Sequence, residues 1–342
     1  MAELIVRKIL ERGLKEPIDT GGKHAAMLNG MHLSGWDDML RKQLENTLKG
    51  NGNIPRSAKP LGRIVAHPNI SDSMSRIRPL VLAGYIKEAR EALKIYLRER
   101  VEVAGVPIFS TAPSTQGWIF ADTAYMVSPS LAIMGEEKMA LNDLMRMHEL
   151  LVEKNGLVRH IINAAVDVKD SYCKTDIWID GTVWGRANGW WLAGVVDTLE
   201  VINKVPEKLK KQFSQTCKSL KMLQDNGFWR CTVDDPYSAV DTSATVMIGY
   251  GFVKGYQLGL LDKSYASAGF SALEAVLKNH FDYRDGTMHH QQRGPLIVNV
   301  GSPNPRYLSS ANPYGQGFLA QLYMLCVCDV DVNKMGVKQI NK

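Results

Sequence analysis

Two kinds of helical run alternate along this chain, and that alternation leaves few folds open. Glu3–Lys15, Asp37–Lys49, Tyr85–Arg98, Glu136–Glu153, Pro206–Gln224 and Lys263–Asn279 carry apolar residues on one face only. Between them lie Thr123–Met134, Gly189–Ile202, Ser243–Leu258 and Gly317–Val327, which are apolar nearly all round. A one-faced helix borders water, whereas a helix apolar on every side must be enclosed. The alternation predicts an inner ring of helices wrapped by an outer ring.

The loops that lead into the inner runs share a composition of aromatic, polar and small residues. They read Gly117–Asp122, Trp184–Asn188, Tyr237–Ser243 and Ser309–Gly315, with His32–Trp36 and Asn69–Ser73 as two earlier members of the series. Successive inner runs start about 50–70 residues apart, the period of a helical-hairpin repeat. Six such hairpins close into an all-α (α/α)6 toroid, expected to be a single domain over residues 1–342 with every lead-in loop lining one funnel. Two β-type stretches, Gly227–Val233 and Pro295–Val300, fall in long connections and read as short strands or extended loops at the rim.

Composition narrows the function. The 342 residues are 45% hydrophobic with a formal charge of +6, enough for a sizeable core. Lys and Arg are spread without the dense runs of a nucleic-acid arm, so no nucleic-acid partner is expected. No apolar run reaches the roughly 20 residues of a membrane span. The N-terminus alternates charged and apolar residues and lacks the apolar core of a secretory signal, which predicts a cytoplasmic protein. Cys173, Cys217, Cys231, Cys326 and Cys328 are odd in number and irregular in spacing. They fit neither a disulfide framework nor a zinc site. The mild positive charge favours an anionic small-molecule or oligosaccharide substrate.

The chain has no dinucleotide fingerprint, phosphate loop, zinc-protease motif or nucleophile elbow. The adjacent His289 and His290 sit in a polar loop with no acidic or cysteine partner nearby in sequence, and His160 reads as a packed histidine on a helix. The candidate chemistry therefore rests on carboxylates. Asp122 precedes an enclosed helix and follows Trp118 and Phe120, a setting that raises a carboxylic pKa by desolvation. Asp72, from the preceding hairpin, would approach the same funnel. Two carboxylates facing a sugar ring are what glycoside chemistry uses. Trp184, Arg186, Asn188 and Trp190 offer aromatic faces, a fixed cation and an amide for a polar ring. Trp118, Trp36, Asp241 and Ser243 complete the candidate contacts. For Asp122, Asp241 and Ser243, helix capping is the alternative use.

These segments resemble a known family. Trp118–Met126 is similar to the W-x-D-G-x-Y-M segment of unsaturated uronyl hydrolases, and Trp184–Trp190 to their W-x-R-x-x-G-W segment. Asp241–Ala244 with Met247, Tyr250, Lys254 and Gly255 resembles their E-T-S-A helix, and Asn312–Leu319 their closing D-P-x-G-x-G-A-F-L. The resemblance runs in order from about Asp72 to Leu325 and points to the unsaturated rhamnogalacturonyl hydrolases, with the unsaturated glucuronyl hydrolases more distant. It implies a six-hairpin toroid and a glycoside hydrolase that needs no metal or organic cofactor. Its substrate would be an oligosaccharide ending in a 4,5-unsaturated uronic acid. The resemblance implies that Asp122 protonates C4 and helps water attack C5, with Asp72 as second acid, Arg186 on hydroxyls or carboxylate, and Trp184 and Trp190 as stacking faces.

Departures from the family cluster in the funnel. A Y-H-A-W-D segment aligns with Asn163–Asp167, which lacks its histidine and tryptophan; His160 could substitute from one helical turn away. The family's paired acids become Asp72-Ser73, its glycine after the catalytic acid becomes Thr123, and its D-P becomes Asn312-Pro313. Two alternatives stay open beside hydrolysis: a non-hydrolytic carbohydrate-binding relative, and a toroid epimerase or cyclase.

Overall fold

The computed structural model describes residues 2–15, 22–48, 70–108, 117–164, 178–292, 308–335 and 337–340. In chain order its helices are α1 (Ala2–Leu14), α2 (Gly22–Leu33), α3 (Asp37–Leu48), α4 (Ile70–Met74), α5 (Ile77–Leu82), α6 (Ile86–Glu99) and α7 (Thr123–Ile133). They continue as α8 (Glu137–Leu151), α9 (Gly185–Leu199), α10 (Glu207–Met222), α11 (Thr242–Gln257), α12 (Lys263–Asn279) and α13 (Pro313–Val327).

The inner ring runs α2, α4–α5, α7, α9, α11, α13 and back to α2, each packed on the next. Every residue of α7 and α9 is buried, as expected for helices with neighbours on all sides. The outer helices α3, α6, α8, α10, α12 and α1 each bury one stripe. In α6 the stripe is Ala89, Ala92, Leu93 and Tyr96. The fold is the six-hairpin toroid expected from the alternation.

The second inner position is split into α4 and α5. Pro79 lacks an N–H for the carbonyl four residues back, and its ring crowds that carbonyl. The chain answers with tight turns, Ser75 N and Arg76 N donating to Asp72 O and Ser73 O at 3.2 and 3.3 Å. Ring closure needs close backbone approach. A Cβ on Gly194 of α9 would lie 2.6 Å from the Ala124 backbone of α7, and one on Gly317 of α13 would strike the Ala26 backbone of α2.

The turn from inner to outer helix follows one recipe at several positions. Gly35 has φ +73°, its N–H donates to His32 O at 2.9 Å, and Trp36 N donates to Met31 O at 2.9 Å. This paired closure ends a helix on a left-handed glycine. Gly84, Gly135 and Gly259 repeat it after α5, α7 and α11, each with positive φ and matching carbonyl bonds. His32–Trp36, expected to lead into an inner helix, is therefore the end of α2. Trp36 lies at the opposite end of the ring from the funnel, because a glycine followed by an apolar residue stops a helix here.

Below the funnel a charge-balanced network ties α5, α9 and α11 together. Lys254 Nζ donates to Asp197 Oδ1 at 2.7 Å, Glu200 Oε2 at 3.1 Å and Tyr250 Oη at 2.9 Å. Arg78 donates to Glu200 as well, and all four charged side chains are buried. Burial pushes the Asp197 carboxyl up, but Lys254 and Arg78 outweigh it and hold the group below its ordinary range.

Short strands sit among the loops. β1 (Glu102–Val103) pairs with β2 (Val106–Pro107); β3 (Trp118–Phe120), β4 (Ile161–Asn163) and β5 (Trp178–Asp180) form an antiparallel sheet in that order. β6 (Phe281–Asp282) pairs with β7 (Thr287–Met288), and β8 (Gln291–Gln292) with β9 (Leu308–Ser309). Gly227–Val233 forms isolated bridges, Phe228 to Asp225, Arg230 to Val240 and Thr232 to Trp184, and no regular strand. Pro295–Val300, Asn69, 165–167 and Cys173 lie outside the described residues. Among the described residues no helix is long and apolar enough to cross a membrane.

Candidate active site

The funnel is built where β3 leads into α7. In the β3–β4 pairing, Phe120 faces Ile161, and Ala121 N continues the ladder to His160 O at 3.0 Å. This register carries His160 to Asp122: Nε2 and Oδ2 are 3.6 Å apart, with the histidine side chain 1% and the aspartate 15% exposed. Asp122 starts α7 but makes no side-chain cap hydrogen bond. Its carboxylate thus faces His160 and does not cap the helix.

His160 is not on a helix. α8 ends at Leu151, Gly156 turns the chain with φ +83°, and Leu157 N donates to Asn155 Oδ1 at 3.0 Å. Residues 157–160 form no helix, with a bridge at Val158 and a bend at His160, and β4 follows at once, so an offset counted in helical turns does not apply. Asn188 fixes this segment from α9: its Oδ1 accepts from Val158 N, and its Nδ2 donates to Val158 O and Trp184 O, all at 2.9 Å. Asn188 is fully buried, with its amide engaged by backbone, which makes it a support and not a ligand contact.

From His160 a column of packed rings and one cation runs to Tyr314. The Trp184 ring lies 4.4 Å from the His160 ring. Arg186 Cζ lies 4.2 Å from the Trp184 ring and 4.5 Å from that of Tyr314. Phe120 meets His160 edge-on at 5.7 Å, and Trp118 lies 6.2 Å from Phe120. Trp184 is 4% exposed and has Arg186 and His160 against it, so it orients its neighbours instead of presenting an open face. Trp190 is likewise buried, between Tyr125, Tyr314 and Phe318.

Arg186 Nη1 donates to Gln292 O, to Tyr314 Oη at 3.0 Å and to Ser243 Oγ at 3.4 Å. Asp241 caps α11, its Oδ1 accepting from Ser243 N at 2.9 Å, Ser243 Oγ at 2.5 Å and Gln292 N at 3.2 Å. Capping thus describes Asp241, as it does not Asp122. Cys231 lies close to this corner; burial pushes its thiol up, Asp241 adds to that and Arg186 opposes it. Asp72 is half-buried in the first turn of α4, a helix packed on α7. Trp118 is half-buried on β3. Among the described residues no group of three His, Cys, Asp or Glu could hold a metal ion.

Gln292, Tyr314 and Phe120 join the site only in the folded chain. Tyr314 and Phe120 stood inside the quoted motifs, but nothing in their spacing said which aromatic would stack on Arg186.

The family model described as Glycosyl Hydrolase Family 88 matches residues 69–326. The chain belongs to this family. It is a glycoside hydrolase, and its substrate is an oligosaccharide. Comparison with curated protein sequences finds no match. Several solved structures share the fold. A possible GH105 member from Klebsiella pneumoniae subsp. pneumoniae MGH 78578 has a TM-score of 0.79 at 16% identity, covering 96% of this chain and 93% of that one. A family 105 glycoside hydrolase from C. acetobutylicum ATCC 824 has a TM-score of 0.75 at 18% identity, covering 94% and 98%. An unsaturated glucuronyl hydrolase from Bacillus sp. GL1, responsible for glycosaminoglycan degradation, has a TM-score of 0.69 at 14% identity, covering 97% and 98%.

Proposed function

We propose that this family 88 chain hydrates the enol ether of a 4,5-unsaturated uronyl residue at the end of an anionic oligosaccharide. The Asp122–His160 pair at the start of α7 carries the reading. Asp122 delivers a proton to C4 and takes one back from the water that adds its hydroxyl to C5. The hemiketal at C5 opens, and the C1 hemiacetal so exposed expels the aglycone. His160 orients Asp122 and shares its proton; catalytic contacts of this length shorten when substrate arrives. Arg186 supplies the positive field for the uronate, and Asp72 is the second carboxylate that places the water. Supporting this assignment, the departures in sequence leave a histidine beside the acid, delivered by a strand register.

Disappearance of the conjugated ultraviolet chromophore of lyase-generated disaccharides tests the reaction. Wild type should bleach at least one of the pectin-, rhamnogalacturonan- or glycosaminoglycan-derived substrates. Asp122→Asn should slow bleaching by about 10²–10⁴-fold. A flat wild-type trace on all three classes, or an Asp122→Asn variant as fast as wild type, would sink the assignment.

A cytoplasmic site of action is proposed on the thiols: the described cysteines Cys217, Cys231, Cys326 and Cys328 are unbridged. Recovery of the chain outside the cytoplasmic fraction of its native cell would refute it.

A further inference from the structure

Gln292 touches the column at more points than any family motif suggests. Its main-chain oxygen accepts from Arg186 Nη1 and, at 2.5 Å, from Tyr314 Oη. Its side-chain Oε1 accepts from Trp184 Nε1 at 2.5 Å, and its N–H donates to Asp241 Oδ1 at 3.2 Å. It is buried on β8, whose partner β9 leads into α13. One residue thereby joins the starts of α9, α11 and α13.

The side-chain bond has a mechanical consequence. Trp184 is the wedge between Arg186 and His160. An indole whose N–H is held by a buried acceptor cannot rotate about its bond to the backbone without leaving a donor unsatisfied. Holding that ring fixes how the anion-binding cation and the acid/base pair stand relative to each other. Misplacement of a reacting group by about 1 Å costs on the order of 10²-fold.

We propose that Gln292 is a positioning residue that acts through Trp184, setting the spacing between Arg186 and the Asp122–His160 pair. The proposal rests on the functional reading above for its kinetic consequence, though not for its structural one.

The experiment uses the full chain carrying Gln292→Met, Gln292→Glu, Trp184→Phe and the double variant Gln292→Met/Trp184→Phe. Of the indole N–H signals of the seven tryptophans in a ¹⁵N-labelled sample, the one lost in Trp184→Phe reports Trp184. It should move in Gln292→Met, which removes the acceptor, and persist in Gln292→Glu, which keeps one. With the unsaturated disaccharide, Gln292→Met should lower kcat by about 10–100-fold well below its melting temperature. Gln292→Glu should chiefly raise KM, its carboxylate competing with the uronate for Arg186. In the Trp184→Phe background, Gln292→Met should add little, since coupled residues are non-additive. An unmoved Trp184 signal in Gln292→Met, or additive kinetic losses in the double variant, overturns the proposal. Wild type inert on every unsaturated substrate refutes the functional reading alone, and the indole signal then decides on Gln292 by itself.

Discussion

Asn188 acts at one remove from His160. Its amide holds both polar groups of Val158, two residues before His160. Asn188→Ala leaves that buried peptide unit without its partners, a loss of about 1–3 kcal/mol. It should also lower kcat more than it raises KM, because His160 shifts while Arg186 stays bound to Gln292. Denaturant melts and steady-state kinetics measure both; unchanged kcat would remove Asn188 from the support of His160. His148 belongs to the same scale. Burial against Trp191 lowers its pKa from 6.5 to about 4. The unfolded chain therefore binds a proton at a pH where the folded chain does not, so the contribution is intact above pH 6.5 and is lost as pH falls towards 4. By pH 5 the loss is about 2 kcal/mol. His148→Gln should remove that part of the acid sensitivity; identical stability slopes for both proteins between pH 7 and 5 would refute it.

At the scale of elements, helices meet through glycine and through paired charge. Gly194→Ala drives a methyl group into the Ala124 backbone and should cost about 1–3 kcal/mol by thermal or urea unfolding. A change below about 0.5 kcal/mol would mean that α7 and α9 can slide apart freely. Lys254→Met leaves Arg78 alone to balance both Asp197 and Glu200 in the interior and should cost about 3–5 kcal/mol; an unaltered urea midpoint would show that Lys254 adds nothing to the network. These elements were legible to different degrees. The enclosed helices α7, α9, α11 and α13 announced themselves because burial on every side leaves no polar face to hide. The earliest inner helices did not: α2 carries His24, Asn29 and His32 among its apolar residues, and α4–α5 is broken ahead of Pro79. Asp122 and Arg186 stand at helix starts, a placement legible from the apolar runs that follow them. The neighbour of Asp122 was misplaced because Leu157–Ile162 reads as helix locally, whereas Val158 bridges back to Val152 and Ile161 and Ile162 pair with β3. Gln292 was invisible because its side-chain bond to Trp184 joins positions 108 residues apart, a pairing that no local spacing signals.

Across the whole molecule, the ring closes between distant parts of the chain. Gln316 Nε2 reaches Ile9 O at 3.0 Å, and Gln321 Nε2 reaches Ala26 O at 3.1 Å. At the other end of the ring, Ile340 N donates to Ile133 O at 2.7 Å and Gln339 Nε2 to Ala132 O at 2.9 Å. Since each inner helix depends on both neighbours, we expect one cooperative calorimetric transition with matching van't Hoff enthalpy; two resolved transitions would divide the chain into domains. The glycine-ended turns have a further consequence. Leu33 to Asp37, Leu82 to Ile86 and Ile133 to Glu137 are joined almost directly, whereas Leu151 to Gly185, Met222 to Thr242 and Asn279 to Pro313 are joined by long stretches. A residue inserted at Gly35 or Gly84 would need a new helix stop and would alter the ring's circumference. One inserted above would reshape only the funnel mouth. Added length is thus expected to be tolerated at one face, where a longer loop can change what the mouth admits while the ring keeps its closure.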